Sequence, residues 1–587
     1  MSPKFPRIGL FVLSLLLGTS GAIAQAGSST KSSEQVALRH GQDALQKGDL
    51  AAARKDFEEA VRLAPGDALA QGALGWVLAQ QGEADAAVTH LRAALKSKPA
   101  YLQARLTLAA VLTQQGKLGE AEQELRACIK ADPGLAEAHR MLGRLLSQRG
   151  MPDQGLAELR AAVKLAPTRA DLQDDLGSIL AHTNQSDEAE SAFRQSLKLQ
   201  PNYQPAHFHL GVILFEKQQW QNAEMELQKA VELAPRDPKA RYYVAKTLVS
   251  QGRNGDALEQ LQKAAALEPH WFELEIELGL ASQRAGDADA AVTAFQEAVK
   301  LRAQDAEALN DLGLALIQKG DAESSVDKFQ KAIKLRPEDA SFRGNLGIAY
   351  MQRADFDAAV LELDDAIKLN PEKASLHYNL GLAYKLKDQF DKAVPELQEA
   401  IRLQPDLADA HYTLGILYWQ RGNFDQATGE MQEALHSKPD YAEAHYTLGT
   451  VYKQQGKLQE AAAELREAVR LQPEFAGAHT TLAGVLRQLG DTQGAAEEAK
   501  AGAKIVASRN NLQAAKVATN SGKRLLGAGD LEGAISQFRS AITSEPSYAA
   551  AHYQLGLALQ QSGKKEESQK EFQKAAELDP HLTFPGK

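Results

Sequence analysis

Proline recurs in this chain at a fixed step. It stands at 65, 99, 133, 167, 201, 235 and 269, then at 337, 371, 405, 439 and 473. Every gap is 34 residues except the one that passes over Ala303, which is 68, and a last pair at 546 and 580 is again 34 apart. A step this regular admits few folds. Each stretch must be one supersecondary unit, and successive units must stack to bury a shared apolar face. A Leu-Gly pair keeps the same step, from 74–75 through 414–415 to 555–556.

Each unit reads as two helices. Between Ala408 and Pro439 the first helix is predicted from about Ala408 to Gln420, where Gly422-Asn423 breaks it. The second is expected to end near Ser437, before the proline, with Asp425 placed to cap its start. Leu414, Leu417 and Tyr418, then Ala427, Met431 and Ala434, recur at three- and four-residue steps, the period of an amphipathic helix. The glycine and the alanines let two backbones approach, so that larger side chains interlock beside them. Alanine, leucine, glutamine, glutamate and lysine dominate the composition, and all favour helices.

The pattern resembles the tetratricopeptide repeat. That family's Trp-Leu-Gly-Tyr, Ala-Phe and Pro signature is matched here by His411-Leu414-Gly415-Tyr418, Ala427-Met431 and Pro439. The resemblance covers residues 34 to 582 in about sixteen repeats. It implies an all-α, right-handed superhelical solenoid of helix-turn-helix units, first helices lining a concave groove and second helices facing outward.

The comb slips once. From Pro473 to Pro546 is 73 residues, two periods plus five. Ala499 replaces the usual large apolar residue and Ala507 the proline. Ser521 then occupies the slot that is leucine or valine elsewhere, as does His40 in the first repeat, which suits repeats with no predecessor to cover them. The expected organisation is a main array over 34–502, a helical extension or hinge over 503–514 with Asn510-Asn511 its weak point, a C-terminal pair over 515–582 docked on the main array, and a tail over 583–587.

Residues 1–24 read as a secretory signal peptide: Lys4 and Arg7, an apolar run from Ile8 to Leu17, then Ala22-Ile23-Ala24 before Gln25. An uncleaved signal anchor is the alternative. Residues 25–33 read as a flexible lead-in. An exported protein, periplasmic or secreted, is the expectation, with no membrane span after cleavage because no other apolar stretch approaches 18 residues. Net charge is −10, and removing the first 24 residues leaves 64 bases against 76 acids, a net −12. That balance speaks against nucleic-acid binding, which wants a clustered basic face.

The residues that could carry chemistry have repeat slots instead. Seven of fourteen histidines share one slot: His139, His207, His377, His411, His445, His479 and His552. Equivalent positions in adjacent repeats sit roughly 10 Å apart, too far to converge on one metal ion at about 2 Å, so these rings are expected to pack between repeats. Cys128, the only cysteine, lies in an alanine slot and reads as a buried packing residue. Asp364-Asp365 reads as solvated surface. No glycine-rich phosphate loop or nucleophile elbow occurs, and no stretch within 34–582 is left for a catalytic domain. Neither enzymatic activity nor a cofactor is expected.

Function is therefore expected on the groove. Tyr378, Tyr412 and Tyr446 follow the histidines, with Phe208 and Tyr242 in earlier repeats. Asn345 and Asn379 hold the next slot, and Lys385, Trp419 and Lys453 share one further along the first helix. The resemblance implies that these slots face the groove, and the repeats over 340–475 are read as an aromatic and polar strip for an extended peptide. The expected role is a non-catalytic scaffold or adaptor for protein or peptide partners. The alternatives are an accessory factor in envelope or exopolysaccharide assembly and, third, the repeat portion of a glycosyltransferase. The oligomeric state stays open.

Overall fold

The computed structural model describes residues 29–579 and residue 582. The expected signal peptide and tail lie outside the described residues. Residues 29–33, expected in a flexible lead-in, already belong to the first helix, Ser29–Gln46. Among the described residues there are 31 helices and no strand. The repeat used above as the example folds as Ala408–Gln420 and Phe424–Ser437.

The chain divides into two compact units, 1–303 and 304–587. The division falls at Ala303, where the comb lacks its proline. The first unit is a stack of helical hairpins, from Ser29–Gln46 with Leu50–Leu63 to Phe272–Arg284 with Ala288–Leu301. The second begins with Ala306–Lys319 and Ala322–Leu335 and ends with Ala549–Gln561 and Lys565–Leu578.

The close approach within each hairpin follows from the glycine of the Leu-Gly pair. A Cβ added at Gly279 would stand 2.6 Å from the Phe295 ring, and one at Gly415 2.8 Å from Met431 Cε. Phe295 and Met431 are fully buried, each between two fully buried alanines, Ala291 and Ala298, Ala427 and Ala434. The pair is a hole and a knob.

The turn joining the two helices needs one residue in the left-handed region. Gly422 fills it at φ 78°, and Gly456 at 75°. Asn184, Gln218, Ala354 and Asp388 take the same place at φ 56–59°, which costs a residue with a Cβ about 1–2 kcal/mol. Capping falls one residue after this turn position. Asp49, Asp287, Asp321, Asp355, Asp491 and Asp530 accept backbone N–H bonds there. The cap of Phe424–Ser437 is accordingly Asn423, which makes no side-chain cap bond. Asp425 does not cap that helix. It lies in the first turn, where its charge suits the helix dipole, and accepts a bond from Gln455 Nε2 at 3.1 Å.

Residues 503–514 lie inside one continuous helix, Thr492–Gly527. At 36 residues it is about 54 Å long. Its first half is the second helix of one repeat: Gly502 sits against His479 and Thr480, and Ala495 joins the cluster of Leu482, Val485 and Leu486. Its second half is the first helix of the next, with Gly522 against the Phe538 ring. From 506 to 514 every residue except half-buried Leu512 is exposed. Ala499 is exposed, and its partner slot holds Ala483 where most repeats have glycine, so this hairpin has neither hole nor knob.

Candidate peptide-binding groove

The shared histidine slot is near the start of each first helix, and the ring it carries is a polar clamp. In His411, Nδ1 lies 2.7 Å from Glu430 Oε2 on the second helix of the same repeat. Nε2 lies 3.1 Å from the carbonyl oxygen of Pro405, in the link to the preceding repeat. The other six histidines make the same two contacts, with the glutamate nineteen residues on and the proline six residues back. Their side chains are only 8–13 % exposed. Where the slot is not histidine, other donors reproduce the clamp. Arg105 bonds the Pro99 carbonyl and pairs with Glu124, and Gln71 bonds the Pro65 carbonyl and His90. These rings therefore join repeats by hydrogen bonds rather than by packing alone.

The expected strip over 340–475 is laid along successive first helices, and most of its polar tips are tied across the joint to the next repeat. Asn345 Nδ2 donates to Asn310 Oδ1 at 2.8 Å. The Tyr378 hydroxyl lies beside Thr413, and the Tyr412 hydroxyl beside Thr447. The Tyr412 ring packs on Tyr441 at 4.9 Å and Tyr446 on Phe475 at 4.7 Å. Trp419 Nε1 donates to Gln454 Oε1 at 2.7 Å. Lys453 Nζ approaches Gly484. Asn379 and Lys385 are half-buried, and burial holds the Lys385 ammonium below the ordinary lysine range. The strip is thus largely an inter-repeat seam, in which Asn379 and Lys385 carry none of the ties just named.

A deep concavity lies elsewhere, wholly in the first unit. It has a volume of about 1220 Å³ and is walled by the first helices Leu102–Gln114, Ala136–Gln148, Ala170–His182 and Gln204–Glu216. Leu106, Ala110, Met141, Leu145 and Ile179 line it with apolar surface. Across that surface runs an ion network. Arg140 contacts Asp175 at 2.5 Å and Asp171 at 3.1 Å, while Arg169 bridges Asp171 at 2.5 Å and Glu137 at 2.8 Å. Burial disfavours the Arg140 charge, but Asp175, Glu137 and Asp171 outweigh it and hold the guanidinium firmly protonated. His209 Nδ1 meets the buried Asp174 at 2.9 Å. Burial, together with Asp174, Asp171 and Asp175, pushes the Tyr203 phenol up to about 12.

Sequence reasoning missed this groove because it followed the aromatic residues. The signal was nonetheless present. Arg140 occupies the slot of Tyr378, and Asp175 that of Asn379, so the positions read as groove-facing in later repeats carry paired charges here. Beyond His209 the same slots turn aromatic. Phe208 meets Tyr243 edge-on at 5.7 Å, and Lys246 stands 5.5 Å from the Phe215 ring centre.

Cys128 is fully buried, and burial pushes its thiol up to about 12. Asp365, with Asp364 half-buried beside it, pairs with Lys368 at 2.7 Å. Among the described residues no group of three or more His, Cys, Asp or Glu side chains could hold a metal ion. No described helix is long and apolar enough to cross a membrane.

Profiles described as "Tetratricopeptide repeat" match residues 38–101, 175–238, 208–272, 276–340, 412–474 and 446–509, and others of that description match 78–145, 112–179 and 549–582. A "TPR repeat" profile matches 347–388, 385–422 and 522–563. No curated protein matches the chain. Among solved structures, yeast Tom70 is similar at 18% identity and TM-score 0.39, over 78% of this chain and 97% of that one. Cut9-Hcn1 of the APC/C is similar at 15% identity and TM-score 0.37, over 94% and 99%. Pseudomonas aeruginosa PilF is similar at 19% identity and TM-score 0.33, over 35% and 94%. The repeat matches run through both units, on hairpins whose glycine, alanine and proline slots are those described above, and the chain belongs to the tetratricopeptide repeat family.

Proposed function

We propose that this protein is a non-catalytic scaffold that holds an extended segment of a partner polypeptide in the groove over residues 103–209. The observation that carries this reading is the groove itself: about 1220 Å³, walled by four successive first helices and lined by apolar side chains crossed by fixed ion pairs. Apolar surface supplies contact energy, and an ion network already ordered before binding gives direction without a new ordering cost. The strip at Asn379 and Lys385 is a second, smaller contact.

The test begins with partners captured by the full chain from envelope fractions. Ala110→Trp with Ser178→Trp fills the groove from two walls without adding a charge beside the ion network. The expected result is at least a tenfold loss of affinity, about 1.4 kcal/mol, with helicity unchanged. Unchanged affinity in that variant, with loss instead in a Tyr378/Tyr412/Tyr446 triple alanine variant, would move the site to the second unit. Export is proposed from the basic, apolar and Ala-x-Ala segments before Gln25. Sequencing the N-terminus of protein recovered from the envelope checks it, with Gln25 expected first.

A further inference from the structure

The histidine clamp has a property that packing residues lack. A proline carbonyl accepts hydrogen bonds and cannot donate them, and the same is true of an ionised carboxylate. A neutral imidazole carries one N–H, an imidazolium two. Both contacts of His411, to Glu430 at 2.7 Å and to the Pro405 carbonyl at 3.1 Å, are hydrogen bonds together only when the ring is charged. A neutral ring must turn a lone pair toward one of the two acceptors, in a site where little water reaches it.

The surroundings favour the charged ring. Glu430 and the Pro405 carbonyl hold His411 above the ordinary histidine range against the effect of burial, with Glu433 on the same helix adding to them. Burial alone would push His445 down. Glu464, the Pro439 carbonyl and Glu467 outweigh it and hold that ring above the ordinary range too. The cations nearby are already engaged: Arg470 pairs with Glu467, and Arg402 with Glu399, which faces His377. The slot also accepts a permanent cation in the same geometry, as Arg105 shows with Pro99 and Glu124 and Arg343 with Glu362 at 2.9 Å.

Four of the clamps are consecutive. We propose that the middle two, His411 and His445, form a proton-operated brace, which in mildly acidic solution ties each first helix to its own second helix and to the preceding repeat's proline. As pH rises each of the two rings gives its extra proton to solvent and loses one of its two ties, and residues 408–471 loosen together. The sign follows from the direction in which the fold moves these rings. The added stability is fully present below the unfolded-state value of about 6.5 and is lost as pH rises through the higher folded-state value. The brace stands independently of the peptide-binding reading.

Hydrogen exchange of the full chain, corrected for the intrinsic rate at about pH 6 and about pH 8.5, tests it. A ring that binds its proton more tightly in the folded chain than in the unfolded one stabilises the fold by the ratio of the two affinities. Protection over 408–471 is therefore expected to be partly lost at the higher pH. The variant H411R/H445R copies the Arg105 clamp and should hold its protection at both values. Equal loss in wild type and that variant overturns the brace. Should the arginine variant fail to fold, E430Q/E464Q removes the charges that hold the ring protons. Protection that still depends on pH in that variant also overturns it. Ring nitrogen spectra give an independent readout: both nitrogens of His411 and His445 are expected to carry protons at about pH 6, and neutral rings at that pH contradict the proposal.

Discussion

At the scale of the residue, the 34-residue comb is a set of slots, each with one physical job. Gly279 faces the Phe295 ring at a distance no Cβ tolerates. Gly279→Ala is expected to destabilise its repeat by about 1–3 kcal/mol, the usual cost of overpacking, seen as a lower midpoint in denaturant. Unchanged midpoint and slope would show that Phe295 can retreat. Such slots were legible from the sequence because the residue type states the job: glycine or alanine where backbones meet, a large apolar residue opposite. The clamps were half-legible. Histidine in one slot could be counted, and a glutamate nineteen residues on accompanies each of the seven. Only the structure shows that both ring nitrogens face acceptors, which distinguishes a clamp from a packed ring. The role of Asp425 was hidden for a related reason. Several residues at a helix start can supply a carboxylate, and only the backbone angles show that the cap belongs to the residue just past the left-handed one.

The elements were legible to within a residue or two where the pattern is strong, as in Ala408–Gln420 and Phe424–Ser437. Turn geometry was less so. Glycine announces a left-handed residue, but Ala354 adopts φ 57° with nothing in its type to say so, because its place in the hairpin dictates the angle. Ala354→Gly should therefore stabilise the protein by about 0.5–1 kcal/mol, relief of the left-handed cost less the added freedom of the unfolded glycine. Thermal unfolding measures it, and a lower midpoint would refute the strain. The helix Thr492–Gly527 is the element where the sequence leaves two outcomes, extension or hinge. Its middle has almost no packing partners, so backbone hydrogen bonds and helix propensity hold it. Asn510→Pro removes one such bond and should cost about 3 kcal/mol locally. Limited proteolysis should then cut within 503–514 while the flanking repeats stay protected, and cleavage elsewhere first would show that the bridge is not the weak point.

For the molecule as a whole, stability is a sum over neighbours. Each hairpin touches the ones beside it in its stack, and no single core spans the chain. Denaturation is expected to proceed in steps, with an apparent slope less than half that of a two-state chain of this size. One sharp transition, coincident by fluorescence and circular dichroism, would show stronger coupling than nearest-neighbour contacts supply. The groove over 103–209 belongs to this scale, which explains why it was hard to read. Four repeats each contribute a few ordinary residues, and their charges matter only once the stack brings Arg140 against Asp171 and Asp175. The shared helix Thr492–Gly527 has a consequence of another kind. Two repeats joined by a loop choose their mutual angle by packing, whereas two repeats that own opposite ends of one rod have it fixed by counting. Each residue added or removed between 503 and 514 turns the far pair by about 100° and shifts it by about 1.5 Å. Insertions in that stretch thus act as an angular dial, and lengths that change by whole turns aim the last two repeats where they aim now.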